Sequence, residues 1–488
     1  MSSTPYRTHA APFAPELVLR ATGGELLAGG AASAAFGGVT IDSRQVSAAD
    51  LFFALPGGAR HGHEFVAAAA AAGALGAVVE PGFVPTVAQP PWVFQVASGR
   101  DALGRLGRAL RDRSHARVVG VTGSNGKTTT KELITSVFVE AHGAEAVLCT
   151  EGNLNNELGV PLTLSRLDPQ RHRFAVVEMG MSALGEIAYL AGLVQPEVGL
   201  VTNVGPAHLE RLGSIEAIAQ AKGEMFGALG PTGLALFPDD DALLEARATA
   251  AAIPESRRVR FGGHPRAAVR IVSWTELGAA GNEVTLSLGG HELRCVLPLV
   301  GAHNVRNAAA AAAVGWVLGL DPTVIARGLC RARPASMRSE LEELAGRHLL
   351  VDCYNANPAS MKAALTALAQ SRGSSRGVAV LGEMLELGAA SVELHRDVGR
   401  AVAGLGLDGL VTLGAARAIV DGAVDGGLDP ARALASDEVE SAARRALELA
   451  GPDGWILVKG SRGSRMERVV QALRRLLETA APPATGGR

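Results

Sequence analysis

The chain has 488 residues, 48% of them hydrophobic, with 60 glycines and a formal net charge of −2. That length supports about three domains of ordinary size, each able to bury a core. The near-neutral balance argues against a general nucleic-acid binder, which carries a basic excess.

Met1–Glu16 shows no charged stretch followed by an apolar run, so no secretory signal is expected. No run of about 18 apolar residues predicts a membrane span. The four cysteines, Cys149, Cys295, Cys330 and Cys353, lack metal-ligand spacing and read as reduced thiols of a cytoplasmic protein.

Residues 1–112 read as a first, small α/β unit. It has short strands at Val39–Asp42 and Leu51–Leu55, a helix at His63–Ala72, a loop-rich stretch at 81–91 and a helix at Leu103–Arg111. Between 113 and 333, β-rich runs alternate with helical segments: Val118–Thr122, Phe174–Val177, Val198–Thr202 and Leu234–Phe237. This alternation predicts a central, doubly wound, mostly parallel sheet. Val269–Trp274, Glu283–Leu288 and Leu293–Leu297 read as antiparallel strands with a Gly289-Gly290 turn. An alanine-rich helix follows at Asn304–Leu318, and Asp321-Pro322 is a good start for the next helix. Arg331–Ser339 reads as a linker. From 334 to 488 a second alternation predicts a Rossmann-like α/β domain, with strands Leu349–Asp352, Val378–Leu381, Leu410–Leu413 and Trp455–Val458. Asn357-Pro358 opens one of its helices and Ser436 is expected to cap another. The tail 480–488 is expected to be disordered.

The richest segment is Gly120–Thr130, GVTGSNGKTTT. It lies between an apolar strand and a helical stretch, the setting of a phosphate-binding loop. Glycines let backbone N–H groups turn toward an anion, and a helix N-terminus adds its dipole. Gly123, Ser124, Asn125, Gly126, Lys127, Thr128 and Thr129 would cradle the nucleotide. Lys127 would reach the β/γ-phosphates and the Thr128 hydroxyl would hold Mg²⁺. Val121 stands where the commonest version of this loop has its first glycine.

Other unusual polar residues also fall just after predicted strands: Glu178, Asn203, Asp352, Tyr354, Glu383 and Lys459. Ligands of open α/β sheets bind outside the carboxyl ends of the strands, so two such edges suggest a shared cleft. Taken singly, several of these residues have a plain reading as well. Glu178 suits either a solvated strand end or a hard-oxygen Mg²⁺ ligand. His208 suits a structural cap, and Lys222 a surface helix lysine. Asn304 and Asn307 share one helix face, as capping or polar-face residues do. Lys459–Gly463 suits either a second anion site or a solvated basic loop.

Together the motifs GVTGSNGKTTTKE, GNLNNELGVPLTL, EMGM, TNVGPAHLE, AKGE and GAHNVRNAAAA resemble those of the Mur ligases over nearly the whole chain. Those enzymes form amide bonds at the expense of ATP in peptidoglycan synthesis. NNELG, DCYNANPASMKAAL, LGEMLELG with the later His395, and LVKGSRGSRME are similar to one branch. That branch joins D-alanyl-D-alanine to UDP-N-acetylmuramoyl-tripeptide. The resemblance implies three domains: N-terminal UDP-substrate, central ATP-binding and C-terminal Rossmann-like. It also implies two Mg²⁺ ions and an acyl-phosphate intermediate. Glu178, His208 and Thr128 become metal-site residues, and Lys222 matches a lysine carbamylated in the family. Asn304, Asn307, Arg338 and Asp352 match nucleotide contacts. Ser43, Arg44, Asn153, Asn155, Asn156, Tyr354, Asn355, His395 and Lys459 fall on the substrate side. A monomer without nucleic-acid partners is expected. A ligase of the same superfamily that adds a single amino acid, including the folylpolyglutamate type, is the alternative. A small-molecule kinase and a non-catalytic nucleotide-binding regulator are more distant ones. Met337 stands where the family commonly has a glycine before the nucleotide arginine.

Overall fold

A computed structural model describes residues 11–31, 33–58, 60–206 and 209–480. His208 and the tail from 481 lie outside the described residues. Three sheets succeed one another along the chain, each with its own apolar core.

The N-terminal sheet contains β1 (Glu25–Ala28), β2 (Gly38–Thr40), β3 (Asp50–Phe53), β4 (Gly76–Val79) and β5 (Trp92–Gln95), in the order β1-β5-β4-β3-β2. β2 to β5 run parallel and β1 pairs antiparallel with β5. The sequence reading missed β1, β4 and β5, because alanine and glycine tracts blur their period. The helix expected from His63 is a short 3₁₀ turn, Gly62–Phe65, running into Val66–Ala71. The helix Gly99–Asp112 ties this domain to the next. Arg108 and Arg111 donate to the carbonyls of Gly192 (2.7 Å) and Val194 (3.0 Å).

The central sheet contains β6 (Arg117–Thr122), β7 (Val147–Cys149), β8 (Phe174–Glu178), β9 (Val198–Val201), β10 (Leu234–Pro238), β11 (Arg258–Gly262), β12 (Val269–Glu276), β13 (Asn282–Leu288) and β14 (His291–Leu297). Its order is β14-β13-β12-β11-β10-β9-β6-β8-β7. Pairing is parallel from β7 to β12 and antiparallel across β12, β13 and β14. β6 lies between β8 and β9, and its Val118, Val119 and Val121 are fully buried. A continuous apolar strand of this kind suits a parallel sheet covered on both faces. One face carries the helices Lys127–His142 and Ala302–Val317, the other Glu186–Val194 and Ile215–Gly227. Ala308–Ala313 are all buried, and small side chains there let the two helices of the first face approach closely.

The C-terminal sheet contains β15 (Glu340–Leu344), β16 (Arg347–Asp352), β17 (Gly377–Leu381), β18 (Gly409–Leu413), β19 (Ala433–Ser436) and β20 (Trp455–Lys459), in the order β15-β16-β20-β17-β18-β19. All pairs are parallel except β15 with β16. β15 reads ELEEL and carries too much charge to look like a strand. As an edge strand it tolerates that charge. Ser436 does not cap the helix Val439–Ala450. It ends β19, and its hydroxyl accepts from the N–H of Glu438, the residue that stands at the helix start.

Candidate active site

The loop after β6 behaves as its glycines demand. Gly123 has φ 148° and Gly126 φ 77°. A Cβ at Gly126 would stand 2.5 Å from the Asn307 side-chain oxygen, and one at Gly123 would stand 1.9 Å from the Thr202 hydroxyl. Only glycine fits either place. Gly126 caps the helix Lys127–His142 without a side-chain hydrogen bond. The first N–H groups of that helix are therefore left for an anion. Asn203 fixes the loop from the end of β9. Its Oδ1 accepts from Asn125 N (3.0 Å) and its Nδ2 donates to Asn125 O (2.9 Å). The Lys127 ammonium curls over the turn and donates to Gly123 O (2.7 Å). Burial lowers the Lys127 pKa from its ordinary value, Glu178 opposes the shift, and the charge of Arg338 adds to it.

Glu178 ends β8 beside this turn and is buried. Its Oε2 accepts from the Thr128 hydroxyl (2.8 Å) and its Oε1 from Asn155 Nδ2 (2.8 Å). Its backbone N–H donates to Thr150 Oγ1 (2.9 Å), while the Thr150 carbonyl accepts from Lys131 Nζ (2.8 Å). Lys131, 1% exposed and ion-paired with Glu132, was not expected at the site. Its position four residues after Lys127 was the available signal. Thr128 Oγ1 and the Glu178 carboxylate are hard oxygens held side by side, a donor pair that fits Mg²⁺.

Lys222 projects from the helix Ile215–Gly227 into the same cleft and is 1% exposed. Among the described residues it has no hydrogen-bond or ion-pair partner. Burial, then the charge of Lys127, pushes its pKa well below the ordinary lysine value. A surface reading of this lysine is therefore excluded.

The C-terminal domain closes the other side of a cleft of about 1070 Å³. Lys459, last in β20, pairs with Asp352, last in β16, at 2.6 Å and also donates to Asn355 O (3.1 Å). Arg338 stacks on Tyr354, with its guanidinium carbon 4.0 Å from the ring centroid. Met337 (φ 60°) and Ser339 (φ 51°) flank that arginine in the left-handed region. Hydrogen bonds from Met337 N to Glu340 Oε2 and from Ser339 N to Asp352 Oδ1 hold the turn that a glycine would make without strain. Asn357 caps the helix Pro358–Ser371 through Oδ1, which accepts from Ser360 N (2.9 Å). That fixes its amide orientation. Its Nδ2 then donates to Asn125 Oδ1 (2.7 Å), a direct bond between the phosphate loop and the C-terminal domain.

Lys127, Thr129, Glu178, Lys222, Asn307, Arg338, Asp352, Tyr354, Asn355 and Lys459 all line this one cleft, as do Ser124, Asn125, Gly126, Asn155 and Asn156. Thr128 lies directly behind, on Glu178. Asn304 lies behind Asn307, accepting from its Nδ2 (3.0 Å). Ser43, Arg44 and Asn153 do not line it, and Arg44 is engaged with Asp42 at 2.8 Å. His395 does not line it either. It is buried inside the C-terminal domain, where its Nε2 accepts from Met384 N (2.9 Å). His303 and the exposed ion pair of Arg306 with Asp240 line the cleft and were not anticipated. Burial lowers the His303 pKa, with Asp352 opposing and Lys459 assisting. Its place directly before Asn304 was the signal.

Three family descriptions match successive parts of the chain. They are the "Mur ligase family, catalytic domain" at 35–109, the "Mur ligase middle domain" at 121–315 and the "Mur ligase, glutamate ligase domain" at 337–462. The chain is 37% identical over 441 residues to the UDP-N-acetylmuramoyl-tripeptide–D-alanyl-D-alanine ligase of Escherichia coli (strain K12), covering 89% of this chain and 93% of that protein. It is 35% identical over 438 residues to the ligase of the same name from Bacillus subtilis (strain 168), covering 89% and 93%. The crystal structure of MurF from Acinetobacter baumannii superposes with a TM-score of 0.85 at 32% identity, covering 96% of this chain and 99% of that one. MurF ligase from Thermotoga maritima in complex with ADP superposes at 0.78 with 27% identity, covering 91% and 98%. With its three sheets in the same succession, the chain belongs to the Mur ligase family.

Proposed function

We infer that this protein joins D-alanyl-D-alanine to UDP-N-acetylmuramoyl-tripeptide, forming an amide bond driven by ATP. The observation that carries the reading is a phosphate loop and buried carboxylate facing a cation-bearing C-terminal domain across one cleft. The relatives named for this reaction supply the substrates.

A free carboxylate is a poor electrophile. The terminal carboxylate of the tripeptide attacks the γ-phosphorus of ATP, ADP leaves, and an acyl phosphate remains. The amine of the dipeptide then adds to the acyl carbon, a proton is lost, and phosphate departs from the tetrahedral intermediate. The uncapped N–H groups after Gly126 hold the phosphates, and the Lys127 ammonium follows the transferring group. Thr128 and Glu178 would hold Mg²⁺, with His208 as a further ligand. Mg²⁺ supplies charge neutralisation on the phosphoryl oxygens. Lys222 would support a second ion as a carbamate, formed when its neutral amine adds carbon dioxide and releases one proton. Burial without a partner supports that role, because it favours the neutral amine. Asn307, Arg338 and Asp352 contact the nucleotide. Asn155, Asn156, Tyr354 and Lys459 face the acyl side, and Ser43 and Arg44 hold the uridine diphosphate end. Domain limits at 112/113 and 333/334 go with this assignment, as do a cytoplasmic location and a monomer. No helix among the described residues is long and apolar enough to cross a membrane.

The test is Mg·ATP-dependent phosphate release with UDP-N-acetylmuramoyl-tripeptide, comparing D-alanyl-D-alanine with single amino acids and weighing the product. Release with the dipeptide alone, with the mass of the pentapeptide product, is expected. Release with a single amino acid would instead place the enzyme at another step with the same chemistry.

A further inference from the structure

The segment Gly382–Ala390, most of the motif LGEMLELG, plays no part in the reaction as derived above. Its geometry is nonetheless closely determined. Gly382 N donates to the carbonyl of Lys459 (2.8 Å), the cleft lysine. The Glu383 carbonyl accepts from Ser461 N (3.0 Å) and the Ser464 hydroxyl (3.1 Å), and Leu385 N donates to Ser461 Oγ (3.0 Å). Met384 and Leu387 are buried in the C-terminal core, whereas Leu385 is 43% exposed. Glu386 takes φ 62°, a left-handed conformation unusual for this residue. The result turns its carbonyl outward, where it accepts from Glu210 N (3.4 Å) in the short central-domain helix Leu209–Leu212. A Cβ at Gly388 would stand 3.7 Å from Glu210 Cα and Cβ. That helix directly follows His208 in the chain, and its Arg211 lines the cleft.

His395 holds this loop in shape. Its Nε2 accepts from Met384 N (2.9 Å) and its Nδ1 lies 2.7 Å from Ser391 O. An acceptor at Nε2 and a carbonyl at Nδ1 require the neutral ring with its proton on Nδ1. We propose that Gly382–Ala390 is a clamp by which the C-terminal domain grips the helix Leu209–Leu212, with His395 as its positioning residue. The clamp joins the Lys459 end of β20 to the central-domain segment opposite, a second tie across the cleft beside the Asn357–Asn125 bond. The proposal rests on the ligase reading for its catalytic consequence, but the contact itself is testable without turnover.

Two variants of the full chain separate positioning from mere filling. In His395→Gln the side-chain oxygen still accepts from Met384 N, whereas His395→Leu fills the space without an acceptor. His395→Leu is expected to lower kcat about tenfold, and His395→Gln to recover most of the loss. A kcat for His395→Leu within about twofold of the parent, or no recovery in His395→Gln, overturns the positioning role. The second measurement needs no activity. Glu210→Cys with Gly388→Cys places two Cβ atoms within disulfide range. With a small disulfide as oxidant, the pair should cross-link faster when ADP is bound, as read by peptide mass. No cross-link, or a rate indifferent to ADP, overturns the clamp. If the parent released no phosphate with D-alanyl-D-alanine while the ADP-dependent cross-link formed, the ligase reading would fail and the clamp would stand.

Discussion

The two sheet edges that meet at the cleft are built differently. At the central edge, polar groups are wired to one another before any ligand need be considered: Thr128 and Asn155 on Glu178, Thr150 under it, Asn203 on Asn125. At the C-terminal edge the groups are cations on carbonyls, a carboxylate and a ring: Lys459 on Asp352 and Asn355, Arg338 on Tyr354. The first edge is a fixed, internally hydrogen-bonded frame; the second brings charge to it. Lys222 belongs to the first edge by position but lacks the wiring of its neighbours. It is a buried side chain facing the cleft, without a hydrogen-bond or ion-pair partner among the described residues.

The comparison is broken most severely at the first edge. Lys127→Ala should cost about 10³-fold or more in phosphate release, while circular dichroism and Tm stay near the parent. Substantial turnover in a folded Lys127→Ala protein would remove the phosphate role of this lysine.

Lys222 gives two readouts of opposite sign. Lys222→Ala should lose most activity, with partial recovery in added short carboxylic acids; no recovery leaves the carbamate without support. The stability of Lys222→Met should rise by a few degrees in bicarbonate-free buffer. The folded chain holds fewer protons at this amine than the unfolded chain does, because burial lowers its pKa from the ordinary 10.5. Stability of the parent therefore climbs with pH from the folded value up to the unfolded one, and the burial penalty is complete below that window. The advantage of Lys222→Met should thus be larger near about pH 6 than near about pH 10. An advantage independent of pH would show that Lys222 does not titrate as a buried amine.

Joining the two edges is the task of Asn357. Asn357→Asp keeps the oxygen that caps Pro358–Ser371 but loses the donor to Asn125. We expect kcat to fall about tenfold with little change in Tm. Solution scattering should show a more open chain when ADP is bound. Equal kcat and equal dimensions would mean that the inter-domain bond does no catalytic work.

The smallest effect belongs to the N-terminal domain, outside the cleft. Arg44→Ala should raise KM for the uridine-linked substrate by about fivefold with kcat nearly unchanged. An effect confined to kcat would move Arg44 away from substrate binding.

What the sequence determined by itself is local. The phosphate loop needs closely spaced glycines, a lysine and a threonine between a strand and a helix, and all of that is contiguous in Gly120–Thr130. The strands that flank it are legible for the same reason, since β6, β8 and β9 are mostly apolar runs. Asn357-Pro358 and Asp321-Pro322 announce their helices because caps act over three residues. Tertiary structure decided whatever depends on a distant partner. Asn125 and Asn357 are 232 positions apart, and no pattern in either segment names the other. Lys222 looks like a surface helix lysine until the fold buries it beside Lys127. His395 was placed on the substrate side with its motif, yet the fold turns it inward to hold Met384. β15 is a strand only because β16 offers its edge. Periodicity and turn chemistry act over a few residues, whereas burial and pairing are properties of the whole packed chain.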